Sequence, residues 1–342
     1  MLGITLKALF LVINQMEKPK TFLYDTFFGD RETTDKQKII VEYSNGRRLM
    51  APIVSRFVPG QEMPKETFSG KFYEPHKIAP LRTFTADEFA FERIAGQNPF
   101  SNSDPETKKA KLIAQTLEEQ QTQISRRLEN MAASVLYNLE INVEGDSIID
   151  KIQYYDISNT EHHVTIATKW DQSNANPLED IKTALRNISE NGGSRPNIIV
   201  LDPVASDLLQ KNSKFMEQLN TRRYDIATIK PEYVSIDGVI YLGSIPSLGV
   251  DLIEYQEYYD YVDNDGLTKT KSIIPEGTVL LAPINNKVKF AAESSIKDGL
   301  LEGEFIPRIT EDELNDKITL RTISKPILIP RNTKSIKVLK VK

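Results

Sequence analysis

One stretch sets the scale of the whole molecule. After Asp104-Pro105-Glu106, neither glycine nor proline occurs until Gly145. Asp followed by Pro, with an acid in the first turn, starts a helix well: the Asp side chain caps free N–H groups and Pro has none to lose. Apolar side chains then fall at Ile113, Leu117, Ile124, Leu128, Met131, Val135 and Leu139, in steps of three, four or seven. That spacing lays one stripe along a helix over 105–139, about 50 Å long. The opposite face carries Lys108, Lys111, Glu118, Glu119, Arg126, Arg127 and Glu129. A helix of this length exceeds what one compact domain needs, so the sequence predicts a spine. An ordinary long surface helix has the same periodicity.

What precedes the helix is of another kind. Lys38 to Tyr43 is β-rich and ends at Ser44-Asn45-Gly46. Asn-Gly tolerates positive φ and favours a tight hairpin, with Arg47 to Arg56 as the return strand. From Val58 to Pro80 come Pro59-Gly60, Pro64, Ser69-Gly70, Pro75 and Pro80, which forbid a helix and leave an extended excursion with turns. Its apolar residues, Phe68, Phe72 and Tyr73, are too few for a core of their own. Such a segment must lean on its own body or on a neighbouring molecule. The first residues, Leu2 to Ile13, are interrupted by Lys7 and read as a short amphipathic helix or arm. A signal peptide is the alternative, but Asn14-Gln15-Met16-Glu17-Lys18 offers no small-residue cleavage site.

After the helix, strands are expected at Leu139 to Val143, Ile148 to Ile157 and Val164 to Ile166. A second unit begins at Asn176-Pro177, where Leu178, Ile181, Leu185 and Ile188 mark a helix that stops at Gly192-Gly193. Asn197 to Leu201 is a buried-type strand running into Asp202-Pro203, a second cap-plus-proline start. Val234 to Ile236 and Val239 to Leu242 flank Asp237-Gly238 as a hairpin. Leu252 to Val262 is a tyrosine-rich strand turning at Asp265-Gly266 into Thr268 to Ile274, and Thr278 to Leu281 and weaker strands follow. The fold class is α+β in two lobes, with a boundary near Trp170 to Asn176. No internal repeat is present.

Composition narrows the function. The 342 residues carry 43 basic and 48 acidic side chains, a formal net charge of −5. A surface that grips many phosphates needs a basic excess, so this chain does not hold nucleic acid by bulk charge. With no cysteine, a disulfide framework, thiolate metal sites and cysteine nucleophiles are all excluded. No segment reaches the ~20 apolar residues of a membrane span.

The search for chemistry returns little. Gly70-Lys71 is followed by Phe72 and lacks the earlier glycine of a phosphate loop, and no dinucleotide fingerprint or nucleophile elbow occurs. A histidine base could come only from His76, His162 or His163. His76 lies between prolines and is expected to cap a turn or face solvent. His162-His163 sits in a strand-like stretch, where neighbours point to opposite faces and one ion cannot easily take both. Asp263-Asn264-Asp265-Gly266 invites a calcium loop, but Tyr261 and Ser272 stand where that loop needs acids, so a hairpin turn is expected. Asp251, Glu254, Glu257, Asp260 and Asp263 recur in threes, which alternates faces on a strand and lines no cleft. They make a solvated flank, or an acidic rim at a subunit contact. Arg222-Arg223 is a solvated pair or one that reaches carboxylates across an interface. Lys337 and Lys340 alternate with apolar residues on a terminal strand, as edge-protecting lysines do; a basic tail is the weaker reading, with five basic residues in the last twelve. No catalytic, cofactor-binding or metal residue is assigned and no cofactor is expected.

The ordered set of elements carries a resemblance. The segments are Ala51-Pro52-Ile53-Val54-Ser55, Asn197-Ile198-Ile199-Val200-Leu201-Asp202-Pro203, Leu219-Asn220-Thr221-Arg222-Arg223, Tyr261-Val262 with its Asp265-Gly266 turn leading to Ile274-Pro275, and Ser324-Lys325-Pro326-Ile327-Leu328. In that order, over nearly the whole chain, the sequence resembles the major capsid proteins of tailed bacteriophages, in the branch typified by phage lambda, which have the Hong Kong 97-type fold. The resemblance implies an N-terminal arm (1–30), an extended loop built as a β-hairpin (31–80) and a peripheral domain with the spine helix (81–175). It further implies an axial domain (176–285) and C-terminal strands returning to the peripheral domain (286–342). It implies a structural, non-enzymatic subunit that assembles with itself into pentamers and hexamers in an icosahedral head shell. That shell is put together in the host cytoplasm and encloses DNA without sequence-specific binding. Scaffold, portal and possibly a decoration protein would be further partners. The arm and extended loop are expected to find their burial on other copies. The alternatives are a cellular nanocompartment shell of the same fold, told apart by gene neighbourhood, and a carboxylate-dependent hydrolase, told apart by turnover lost with one acid. A receptor-binding or surface-layer protein would carry a secretion signal.

Overall fold

A computed structural model describes residues 6–16, 19–43, 69–85, 105–145, 148–154, 162–191, 194–213, 215, 236–262, 265, 267–312 and 314–342. The Asn45-Gly46 turn with its return strand 47–56, the Asp104 cap, Gly192-Gly193, Val234 and Arg222-Arg223 lie outside the described residues.

The spine is present. Helix α3 (Pro105–Asn138) runs 34 residues, with proline at its first position as expected. Ile113, Leu117, Ile124, Leu128 and Val135 are buried along the stripe. Leu139 ends the helix in the left-handed region (φ 53°), its N–H still donating to the Val135 carbonyl at 2.9 Å. One residue assigned to the polar face is misplaced there: Glu129 is wholly buried. Periodicity cannot see this, because the burial comes from a remote segment.

That segment is the N-terminus. Helix α1 (Leu6–Gln15) buries Leu9 and Ile13, and α2 (Leu23–Phe27) buries Leu23, Tyr24 and Phe27. Leu23 and Tyr24 both donate their N–H groups to the Glu129 carboxylate at 2.7 Å. Tyr24 also donates its hydroxyl to Glu304 at 3.1 Å, and Arg31 pairs with Asp25 and stacks over the Tyr24 ring. The expectation that residues before 30 find their burial on other copies is therefore corrected for this segment, which docks on its own chain. Its apolar stripe is matched by a face of the spine, and a buried carboxylate satisfies the free N–H groups at the start of α2.

Strand β1 (Asp30–Thr33) then pairs in parallel with β14 (Lys287–Phe290), which continues antiparallel to β19 (Pro326–Ile329). Strand β2 (Ile39–Tyr43) pairs antiparallel with β3 (Ser69–Tyr73), Ile40 facing Phe72. Gly70, read in the sequence as part of a turn, thus lies inside a strand. Strand β4 (Leu81–Thr85) pairs with β18 (Lys317–Ile323), itself in a hairpin with β17 (Ile306–Asp312). The spine holds this group through Gln120, which donates to the Leu320 carbonyl at 3.0 Å and accepts from Thr322 at 2.8 Å. Strands β5 (Glu140–Gly145) and β6 (Ile148–Gln153) form a hairpin beyond the helix.

The largest sheet has the order β7-β20-β13-β8-β10-β9, from β7 (His163–Thr165), β8 (Ile198–Leu201), β9 (Val239–Ile245), β10 (Val250–Tyr255), β13 (Thr278–Ala282) and β20 (Lys337–Lys340). Its two middle strands, β8 and β13 from Val279 on, read as unbroken apolar runs because both faces are covered. Ile198, Val200, Ile253, Leu280 and Val338 face the core built on the spine. Ile199, Leu201, Leu252, Leu281 and Leu339 face a second core, under α4 (Pro177–Glu190) and α5 (Pro203–Lys211). The sheet is thus a wall shared by two cores.

This arrangement corrects several expectations. The last strand, β20, lies between β7 and β13, so Lys337 and Lys340 are not edge lysines; Lys337 is buried. The tyrosine-rich run splits at Gln256 and Glu257 into β10, in the wall, and β11 (Tyr258–Val262), which pairs with β12 (Thr268–Ser272). Val262 pairs opposite Thr268, while Asp263, Asn264 and Gly266 of the expected turn lie outside the described residues. Strand β9 pairs with β10, and the strand expected before Asp237-Gly238 falls, at Val234 and Ser235, outside the described residues. Gly238 itself (φ +76°) accepts from the Gln256 N–H at 2.8 Å, and a Cβ there would sit 2.2 Å from the Gln256 carbonyl oxygen. Gly238→Ala is expected to cost about 3 kcal/mol, from left-handed strain and backbone overlap together, read as a lowered denaturation midpoint.

Candidate assembly surfaces

The described acids of the recurring series go to separate partners. Asp251 accepts from the Tyr241 hydroxyl at 3.3 Å, Glu254 from Ser206 at 2.6 Å, Glu257 from Tyr255 and Asp260 from Thr270 at 2.7 Å. They converge on no cleft. His76 neither caps a turn nor stands alone in solvent: its Nε2 lies 2.7 Å from Asp150, whose carboxyl it holds below the usual range. Both nitrogens of His162 face backbone carbonyls, Ile336 at 3.0 Å and Tyr137 at 2.9 Å. His163 stands on β7 with its ring 4.8 Å away, nearly perpendicular.

Burial lowers His162 to about 4, against the two carbonyls that favour its charged form. A histidine depressed in the fold binds a proton more readily when unfolded. Its stabilising contribution is full above about 6.5 and is lost as pH falls towards 4, by about 3 kcal/mol in all. Glu129 works the other way, since burial raises it to about 7. In denaturant titrations at pH 7 and pH 4.5, His162→Gln is expected to become relatively more stable at the lower pH than the parent.

The excursion up to Pro80 is tied down at its end. Glu293 lies 2.7 Å from Lys77 and 2.6 Å from Lys325; burial works to raise its carboxyl, but the two ammonium groups prevail and hold it below the usual range. Beyond that anchor, apolar side chains stand in solvent. The β2–β3 ribbon buries Ile39 and Val41 on one face and presents Ile40 and Phe72, the latter 71% exposed, on the other. At the ends of other ribbons, Leu314 between β17 and β18 is 97% exposed, and Ile296 between β15 (Glu293–Ser295) and β16 (Gly299–Leu301) is fully exposed. The β11–β12 ribbon carries exposed Tyr258, Tyr261 and Leu267. A lone two-stranded ribbon is marginal in water, and apolar tips on several of them mark contact sites.

The concave counterpart lies along the spine. One groove of about 510 Å³ has a floor of Ile78, Met131, Ile141 and Ile152, and a second of about 690 Å³ runs towards β12. Arg127 and Asn142 line both. Sequence reasoning did not find these surfaces, since exposure of an apolar residue on a strand depends on which face is already covered. The one signal was the shortage of core residues between Val58 and Pro80.

Known proteins resemble this chain both in sequence and in fold. Residues 5–341 match the family described as Phage major capsid protein E. The major capsid protein of Enterobacteria phage P21 is 22% identical over 282 residues, covering 81% of this chain and 79% of that one. The major capsid protein of Escherichia phage lambda is 23% identical over 261 residues, covering 75% and 73%. Among solved structures, the putative capsid protein of a prophage of Escherichia coli CFT073 aligns over the whole of both chains with a TM-score of 0.73 at 19% identity. A phage-related protein from Bordetella bronchiseptica RB50 aligns at 0.55 and 13% identity, covering 96% of this chain and 95% of that one. No helix among the described residues is long and apolar enough to cross a membrane. With the Hong Kong 97-type α+β fold and the match along almost its entire length, the chain belongs to the phage major capsid protein E family, structural subunits, not enzymes, that build the shell of the virion head in many copies.

Proposed function

We propose that this subunit closes into five- and six-membered rings, and these into an icosahedral head shell around DNA, by laying its ribbons on neighbouring copies. The observation that carries this is the β2–β3 ribbon, covered on one face by its own chain and bare and apolar on the other. We assign residues 31–80 to an extended loop, 81–175 to a peripheral domain and 176–285 to an axial domain around the capsomer axis. The shared wall joins the last two, and β20, from 286–342, pairs within it with β7 and β13. The bare face suits the apolar-floored groove along the spine of the next copy. Ring and shell closure follow from repeating one heterologous contact. Apolar burial at ~25 cal/mol per Å², less the cost of association, drives it. The net negative charge fits a wall that encloses DNA without gripping it. Scaffold, portal and a decoration protein are the further partners of this reading. Electron microscopy of the purified protein tests it: capsomers or closed shells are expected, and a lone monomer at high concentration would overturn it.

A further inference from the structure

We propose that Glu129, Tyr255 and Glu257 form a proton-binding site that latches the N-terminal segment to the body of the subunit, closing when it takes up one proton. The geometry calls for that proton. The Tyr255 hydroxyl lies within hydrogen-bonding distance of both carboxyl groups, 2.6 Å from Glu129 Oε1 and closer still to Glu257 Oε2. A phenol has one hydrogen and can donate to only one of them. The other contact is completed when a carboxyl carries a hydrogen and donates it to the phenol oxygen.

The remaining capacity of Glu129 is spoken for by α2, through the N–H groups of Leu23 and Tyr24. The titratable groups facing Glu129 among the described residues are Tyr255 on β10 and Glu257 just beyond it; α2 faces it with backbone donors alone. No cation stands among them. Without the extra proton, two negative carboxyl groups share a single hydrogen in a site where Glu129 is wholly buried. Undocking the N-terminal segment lets water reach the charge. Burial raises Glu129 to about 7, and burial and both carboxyl groups raise the Tyr255 phenol far above its ordinary range, so the phenol keeps its hydrogen.

The sign follows. A carboxyl raised in the docked state and ordinary in the undocked one makes docking tightest below about 4.5, and the advantage is lost as pH rises to about 7. The inference concerns the single subunit and stands apart from the shell reading, so particles could form normally whether it holds or fails.

Hydrogen exchange of the Leu23 and Tyr24 amides in the full chain tests it, corrected for the intrinsic pH dependence of exchange. Global stability is a poor readout, because His162 shifts it in the opposite sense. Protection at pH 5.5 is expected to exceed that at pH 7.5 by about 10- to 30-fold. Glu129→Gln removes the titrating carboxyl, and its amide nitrogen cannot accept from an α2 N–H, so weaker protection that no longer changes between the two pH values is expected. Glu257→Gln leaves the Tyr255 hydrogen to Glu129 and is expected to shrink the difference. Equal protection of the parent at both pH values overturns the proposal, as does an unchanged difference in Glu257→Gln, which applies even if Glu129→Gln does not fold.

Discussion

Asp202→Ala is expected to lower the stability of the subunit by about 4 kcal/mol, the largest loss foreseen for a single polar side chain here. The reason is the number of groups that share this carboxylate. At the start of α5 it accepts from Val204 at 3.2 Å and Ala205 at 3.0 Å, as an N-cap does. On its other side it accepts from Gly277 at 3.0 Å and Thr278 at 3.1 Å, at the head of β13. An ordinary cap contributes about 1 kcal/mol. Here the truncation also leaves two buried N–H groups of a central strand without a partner, at about 1–3 kcal/mol each, with incomplete additivity. Urea denaturation of unassembled subunits measures the loss. Asp202→Asn, which keeps one acceptor oxygen and turns an amide towards the remaining donors, is expected to recover less than half of it. A loss near 1 kcal/mol for Asp202→Ala would mean that the link to β13 contributes nothing.

Phe72→Asp is expected to leave the subunit folded and to abolish shells. Phe72 is 71% exposed and opposite Ile40, so a charge there removes no buried contact of the subunit itself. In an assembled contact the same side chain would be covered. Burying a phenylalanine contributes about 1.5–3 kcal/mol, a factor of roughly 10–100 in each contact's affinity, and a buried aspartate adds its desolvation. A shell repeats the contact in every subunit, so the threshold concentration for assembly rises steeply. Sedimentation and electron microscopy report the outcome beside circular dichroism of the unassembled chain. Normal particles from Phe72→Asp would remove the ribbon face from the assembly contact.

The two substitutions also mark how far local reading reaches. Asp202-Pro203 was recognisable as a helix start from two letters, because a cap acts over three residues. Its second role, towards Gly277 and Thr278, lies some 75 positions away and has no local trace. The spine could be read at 105–139 and ends at Asn138, since one apolar stripe and the absence of glycine act along the helix itself. Glu129, on what looked like the solvated face, is buried because α2 and Tyr255 arrive from elsewhere. Phe72 was singled out as too sparse a neighbour for a core, but which of Ile39, Ile40 and Val41 would be bare depended on the pairing of β2 with β3.

By itself the sequence determined the local geometry: the helix starts at Pro177 and Pro203, the long stripe and the absence of thiol and phosphate-loop chemistry. Each of these is settled within a few residues by backbone sterics, capping and periodicity. The ordered resemblance over nearly the whole chain added the family. Tertiary structure alone decided that the N-terminus docks on its own spine, that β20 closes between β7 and β13, and that one sheet walls off two cores. Those outcomes depend on which covered face meets which, across tens to hundreds of residues, and no window of sequence contains both partners.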